Sequence, residues 1–219
     1  ACDPISAFGG IVSFNFRIKK KLALELNKLF LEVIIGINFD QDALKILKRK
    51  KNLRLIDASK FTASETLRFS SVDENILVQS EDNKIFTSKD FKVVSKRKPS
   101  KSQFDNLIFA FNICRYVKSN AIVLASNKSV IGIGSGQPSR LDSCKIAIDK
   151  MKKFTKPSSD IVAASDAFFP FIDGIEKLVQ SGIRAVIQPA GSIRDNEIIN
   201  FANETDTILV FSKTRHFRH

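Results

Sequence analysis

Histidine, cysteine and methionine are scarce in this chain: its 219 residues hold two His, three Cys and one Met. The histidines, His216 and His219, sit at the very end, and Cys2, Cys114 and Cys144 are scattered. A zinc deaminase needs a His or Cys near a Glu and then a closely spaced Cys pair. That spacing is missing, so the expected metal set is none. Three dispersed cysteines are too few for a disulfide framework, which makes a reducing, cytoplasmic setting the default. Uncharged apolar runs long enough for a membrane helix are also lacking. The opening ACDPISAFGG has no basic segment followed by an apolar stretch, and so does not read as a signal peptide. There is no Gly-x-x-x-x-Gly-Lys-Ser/Thr phosphate loop and no fixed-period repeat. The sole methionine is Met151, and the chain opens on Asp3-Pro4 and Gly9-Gly10 with no strand or helix before them. The expectation is a fragment of a longer protein.

Positive charge, by contrast, is abundant. Thirty-five Lys and Arg against 23 Asp and Glu give a formal net charge of +12. A nucleic-acid binder, an enzyme for anionic substrates and a lysine-biased proteome all produce such a balance. The runs Lys19–Lys21, Lys48–Lys51 and Lys96–Lys98 read as solvated helix ends or loops, with a polyanion groove as the competing reading. With 43% hydrophobic and 26% charged residues, the chain is globular rather than disordered.

The periodicities predict an α/β fold. Gly10–Arg17 reads as a strand, Lys20–Leu31 as an amphipathic helix and Glu32–Ile37 as a strand buried on both faces. Asp40–Lys51 reads as a second helix with Asp40 as N-cap, and Leu53–Ile56 as a third strand. Between Leu67 and Ser95 the segments ILVQS, KIFTS and KVVSK are strand candidates. A long helix is expected at Ser102–Val117. Strands are then expected at Ala121–Ala125 and Val130–Ile133, joined by a turn at Asn127-Lys128. After them come a helix from Ser139 to Lys153, a strand at Ile161–Ala164, a helix at Asp173–Ser181, a strand at Ile183–Gln188, a helix at Asp195–Asn203 and a strand at Thr207–Phe211. A soft boundary falls near residues 75–100, giving an expected division into 1–90 and 91–219.

Three strand-to-helix loops have compositions suited to ligands. In Gly132–Arg140, GIGSGQPSR, glycines would let backbone N–H groups approach a phosphate, and Arg140 would add a bidentate contact. The competing reading is a tight turn feeding a helix. Ala164–Gly174, ASDAFFPFIDG, places three Phe within four positions, suited either to a planar heterocycle or to plugging the core. In the same loop, Asp173 reads either as a ligand contact or as an N-cap. Gln188–Asp195 is a third such turn, and the tail Thr214–His219 follows the last strand. Loops at the carboxyl ends of strands in an open α/β sheet are where ligands bind.

Seven stretches together resemble one family. They are DPISAFGG at Asp3–Gly10, EVII at Glu32–Ile35, VKSNAIVLA at Val117–Ala125, IGIGSGQPSR at Ile131–Arg140, ASDAFFPFIDGI at Ala164–Ile175, VIQPAGSIRD at Val186–Asp195 and RHFRH at Arg215–His219. The family is the bifunctional purine-biosynthesis enzyme that joins AICAR formyltransferase to IMP cyclohydrolase. The chain looks like the carboxyl-terminal part of the formyltransferase region.

The resemblance implies two cytidine-deaminase-like layered α/β subdomains without zinc, the first incomplete at its N-terminus. Residues 1–90 would be the remainder of the first subdomain with connecting strands, and 91–219 the second. The implied reaction moves a formyl group from 10-formyltetrahydrofolate, the co-substrate, to the 5-amino group of AICAR. The parent enzyme then cyclises the product to IMP. The implied partner is a second copy of the chain in a homodimer with shared active sites, with no membrane and no nucleic acid. AICAR contacts would fall on Gly9, Glu32, Asn120, Arg140, Phe168 and Arg215, and folate contacts on Leu141, Asp173, Ser192 and Ile193. The family's proton-transferring Lys-His pair would lie upstream of Ala1, so no catalytic residue is expected in this chain, which alone would be inactive. Pro138, Ala190 and Glu74-Asn75 depart from the family pattern. A basic nucleotide- or RNA-binding α/β module without catalysis is the alternative.

Overall fold

The computed structural model describes residues 2–62, 67–154, 160–216 and 218. The chain divides into two compact units, residues 4–81 and residues 82–219 together with 1–3.

The smaller unit is built on β2 (Leu31–Gly36), flanked by β1 (Gly10–Ser13) and β3 (Arg54–Asp57), all parallel. Helices α1 (Lys20–Asn27) and α2 (Gln41–Leu47) contribute Ala23, Leu26, Ala43 and Leu47 to a core with Ile18 and Ile34. The expected β-α-β-α-β order holds, with the first strand and both helices shorter than expected. Asp40 is the N-cap of α2, but its side chain makes no cap bond; it pairs instead with Arg17 Nε at 3.0 Å. A hairpin of β4 (Leu67–Val72) and β5 (Asn75–Ser80) completes the unit. Every residue of β5 is exposed, including Ile76, Leu77 and Val78.

The larger unit has a six-stranded mixed sheet of β6 (Phe91–Val93), β7 (Ile122–Ser126), β8 (Ser129–Gly134), β9 (Val162–Ser165), β10 (Ala185–Pro189) and β11 (Ile208–Ser212). Their order is β6-β11-β10-β9-β7-β8. Strands β9, β10 and β11 are parallel, while β6 runs antiparallel to β11 and β7 antiparallel to both β8 and β9. Every residue of β7, β9, β10 and β11 is buried, because helices cover both faces. One face carries α3 (Lys101–Cys114), and the other carries α4 (Arg140–Phe154), α5 (Ile172–Gln180) and α6 (Asp195–Glu204). Alternation divides the strands between two cores. Val123, Ile187 and Val210 pack with α3, and Leu124, Val186 and Leu209 with α4–α6.

The β7–β8 turn forms as expected at Asn127-Lys128, with φ of 50° and 53°, the left-handed pair a tight antiparallel hairpin requires. KIFTS is not a strand. Asn112 on α3 takes the place of a neighbouring strand: its Oδ1 accepts the Phe86 N–H at 2.9 Å and its Nδ2 donates to the Phe86 carbonyl at 3.0 Å. Phe86 and Phe91 pack on Phe111 of α3, so this segment belongs with the larger unit. The chain passes from the smaller unit to the larger between Glu81 and Asp82; the sequence reading sets the division at 90/91.

Helix α3 starts at a capping box, in which Ser100 Oγ accepts the Gln103 N–H at 3.1 Å and Gln103 Oε1 accepts the Ser100 N–H at 3.0 Å. Ser100→Ala is expected to destabilise the chain by about 1 kcal/mol, read as a lower urea midpoint.

Burial pushes the Cys144 thiol up to about 12 from 9.0. The unfolded chain then releases this proton first as pH rises. Stability from the buried neutral thiol is complete below pH 9 and is lost progressively between 9 and about 12. Cys144→Ala should flatten that part of a stability-versus-pH curve.

Candidate functional site

Register brings the carboxyl ends of β8, β9, β10 and β11 and the start of β7 to one edge of the large sheet. Ile122 at the start of β7 pairs with Gly134 at the end of β8 and with Ser165 at the end of β9. Ala164 of β9 pairs with Ile187 of β10, and Pro189 at the end of β10 pairs with Ser212 at the end of β11. The segments leaving this edge surround a cleft of about 460 Å³. Asn120 enters from before β7, Arg140 and Leu141 from the start of α4, Phe168 from the β9–α5 loop, Asp173 from the start of α5, and Arg215 from the tail after β11.

Two of the three glycines of GIGSGQPSR, Gly132 and Gly134, serve packing rather than ligand approach. A Cβ on Gly132 would lie 2.2 Å from the Ala147 carbonyl oxygen, and one on Gly134 would lie 1.9 Å from that of Ser143. Both are backbone atoms of α4, so the helix docks on β8 only where side chains are missing. That docking sets Arg140, the first residue of α4, at the cleft.

Arg140 is held from below. Its Nη1 donates to Asp166 Oδ1 at 2.5 Å and to Ser165 Oγ at 2.8 Å, and its Nη2 donates to Asn120 Oδ1 at 2.8 Å. Asp166 is fully buried, and its Oδ2 accepts from Ser119 Oγ at 2.5 Å. Asn120 Nδ2 donates to the carbonyls of Gln137 and Pro138 at 2.9 and 3.0 Å. Both donors of this amide are thus engaged within the protein, and Arg140 turns three N–H groups inward.

The three Phe of ASDAFFPFIDG divide between the two readings. Phe169 plugs the core, with its ring so close to α5 that a Cβ on Gly174 would fall 2.6 Å from Cδ1. Phe168 is half-buried and lines the cleft. Phe171 is exposed beneath the Arg194 guanidinium, 4.8 Å from its ring centre. Asp173 is not the N-cap, a position held by Phe171; its Oδ1 accepts the Gly174 N–H at 2.7 Å.

Ser192 and Ile193 lie in the β10–α6 turn, outside the lining of the cleft. Ser192 Oγ accepts the Arg194 N–H at 3.1 Å, and Ile193 is fully exposed. Gly9 and Glu32 belong to the smaller unit and are neighbours: a Cβ on Gly9 would lie 3.1 Å from Glu32 Oε1. They sit at the amino ends of β1 and β2.

The tail alternates outward and inward. Arg215 is exposed at the cleft, while His216 is buried against Phe86 and Phe111, with Nδ1 facing the Asp82 carboxylate. The environment of the His216 ring is two Phe and a carboxylate. His219 lies outside the described residues. Among the described residues, no group of three or more His, Cys, Asp or Glu is placed to hold a metal ion, and no helix is long and apolar enough to cross a membrane.

Sequence reasoning assigned no role to Asp166, Ser119 or Ser165. A signal was present for the first. A carboxylate directly after the wholly buried strand VAAS requires a cationic partner, and Arg140 opens a helix at the same edge.

A family model described as AICARFT/IMPCHase bienzyme matches residues 1–150. The chain belongs to that family. Relatives named bifunctional purine biosynthesis protein PurH align along nearly its whole length. That of Aquifex aeolicus (strain VF5) is 45% identical over 217 residues, covering 99% of this chain and 42% of the relative. That of Persephonella marina (strain DSM 14350 / EX-H1) is 44% identical over 219 residues, covering 99% and 42%. That of Clostridium botulinum (strain Hall / ATCC 3502 / NCTC 13319 / Type A) is 45% identical over 218 residues, covering 100% and 42%. The chain therefore spans 42% of the length of these bienzyme relatives.

Proposed function

We propose that this chain forms part of the formyltransferase site of a cytoplasmic purine-biosynthesis bienzyme, built from two cytidine-deaminase-like subdomains without zinc. In the proposed reaction the AICAR 5-amino nitrogen attacks the formyl carbon of 10-formyltetrahydrofolate. The C–N bond to the folate breaks, the amine gives up a proton and tetrahydrofolate leaves carrying one. A second activity of the whole protein closes the formylated product to IMP.

The observation that carries the reading is the convergence of Asn120, Arg140, Leu141, Phe168, Asp173 and Arg215 on one cleft. Guanidinium groups suit an anionic phosphate, and Phe168 offers a flat face to a heterocycle. Leu141 and Asp173, at the starts of α4 and α5, give the folate one apolar and one acceptor contact. Ser192 and Ile193 extend that surface beyond the cleft, and Gly9 and Glu32, on the smaller unit, are assigned to AICAR by the family resemblance alone. The residues of this chain bind and orient. With His216 buried, proton transfer is assigned to groups outside these ten.

Calorimetric titration of AICAR into the chain tests the reading. Arg215→Ala is expected to weaken binding about 10- to 100-fold, the range of a charge-assisted hydrogen bond. Lys213→Ala, exposed and outside the cleft lining, is expected to change it less than threefold, within the small worth of an exposed charge. Equal losses remove Arg215 from the site. A salt-steep RNA affinity with no AICAR response would replace the reading with that of a nucleic-acid module. AICAR-dependent tetrahydrofolate release by the 219-residue chain is expected to stay below about a tenth of that of the complete protein, since general base catalysis alone contributes at least about 100-fold.

We also propose the homodimer with shared sites. One face of the β4–β5 hairpin exposes Leu67, Phe69, Ile76 and Val78, an apolar surface of the kind that subunit interfaces cover. Sedimentation showing only monomer at micromolar concentration overturns it.

A further inference from the structure

Asp166 has no part in the reading above, yet four of the candidate substrate residues are tied to it. Its carboxylate holds Arg140 through Oδ1 and Ser119, the residue before Asn120, through Oδ2, each at 2.5 Å. Its carbonyl accepts the His216 N–H at 2.9 Å and so seats the tail segment that carries Arg215. Its own N–H donates to the Ala121 carbonyl at 3.2 Å. Phe168 follows two residues later on the same loop.

We infer that Asp166 is a positioning residue: it sets the plane and direction of the Arg140 guanidinium toward the AICAR anion and registers the tail segment of Arg215 against the same cleft. The inference rests on the AICAR reading of that cleft. The physical argument is directional. A guanidinium has five N–H donors in a rigid plane. Three of them are committed to Asp166, Ser165 and Asn120, so two remain for a ligand, in a plane the protein has chosen. Replacing the anionic oxygen by an amide oxygen keeps the shape and weakens the hold, because a charge-assisted bond is roughly twice as strong as a neutral one. The fork then reorients, and AICAR must bear the cost of ordering it. Folate contacts at Leu141 and Asp173 receive no bond from Asp166 and should not respond.

The test uses the 219-residue chain with Asp166→Asn and Ser119→Ala, each shown to be folded by thermal melting. Calorimetry is expected to give an AICAR affinity at least tenfold weaker for Asp166→Asn, with folate-analogue affinity changed less than threefold. Combined with Arg140→Lys, the loss should not add, because both changes disable one fork. An unchanged AICAR affinity, additive losses, or an equal fall in both ligands overturns the positioning role and leaves a purely structural ion pair. A ligand-free arm separates this from the substrate assignment: the Arg140 side-chain 15N–H signals should be slow to exchange in the parent chain and averaged in Asp166→Asn. If the parent chain fails to bind AICAR, the substrate reading falls. The Arg140 signals then decide alone, their loss in Asp166→Asn supporting the positioning of the fork and their persistence overturning it.

Discussion

Gly134→Ala should cost the chain most of its stability. The added Cβ would sit 1.9 Å from the Ser143 carbonyl oxygen, with the carbonyl carbon 2.5 Å away. These are backbone atoms in the first turns of α4, so no rotamer change relieves the clash. The helix must move off β8 by an ångström or more, and Cys144, Ala147 and Ile148, all in the core beneath it, move with it. Overpacking costs about 1–3 kcal/mol even where side chains can adjust. Here the loss should exceed about 3 kcal/mol, a large fraction of the roughly 5–15 kcal/mol that holds a domain folded. Gly182→Ala is the control. That glycine has φ +87° but nothing within 4 Å of a Cβ, so only backbone strain of roughly 1 kcal/mol is added. Urea unfolding of the two variants should separate them clearly; similar midpoints would mean that α4 is free to slide on β8.

The second large effect is expected from Arg140→Met. The Arg140 side chain is 9% exposed and that of its partner Asp166 not at all. Removing the cation strands Asp166 without a counter-charge, and breaking a buried pair from one side costs about 3–5 kcal/mol. The double variant Arg140→Met with Asp166→Leu removes both charges and should recover most of that loss, since an apolar replacement of the whole pair is often neutral. Denaturant midpoints of the single and double variants read the difference directly. A double variant no more stable than Arg140→Met would show that Asp166 obtains its stabilisation from Ser119 and not from Arg140.

These two effects concern the same nine residues of sequence read two ways. In GIGSGQPSR the glycines suggested a phosphate cradle, and spacing could not distinguish a loop open to a ligand from one pressed against a helix. The distinction depends on the distance between β8 and α4, a property of packing. The Phe cluster was ambiguous for a similar reason. Three aromatics in four positions on an irregular loop follow no period, so nothing local says which ring turns inward. Phe169 does so because Gly174 leaves a space on α5. KIFTS reads as a strand because Ile85, Phe86 and Thr87 have β propensity. The backbone hydrogen bonds of Phe86 go instead to Asn112, 26 residues away.

By itself the sequence determined the layered α/β architecture, the succession of strands and helices outside residues 67–90, and the family, which the comparison with the bienzyme relatives then established. Each of those rests on features that a short window contains: hydrophobic period, turn residues, and strings such as ASDAFFPFIDGI. Only the tertiary structure decided what Arg140 touches, that His216 turns away from the cleft, and that Asp166 joins the two. Those pairings span 20 to 26 residues for Arg140 and 47 for Asp166 with Ser119. They exist because β7 inserts between β8 and β9 in the sheet. Strand order is settled by the packing of whole faces, and no residue's immediate neighbours carry it.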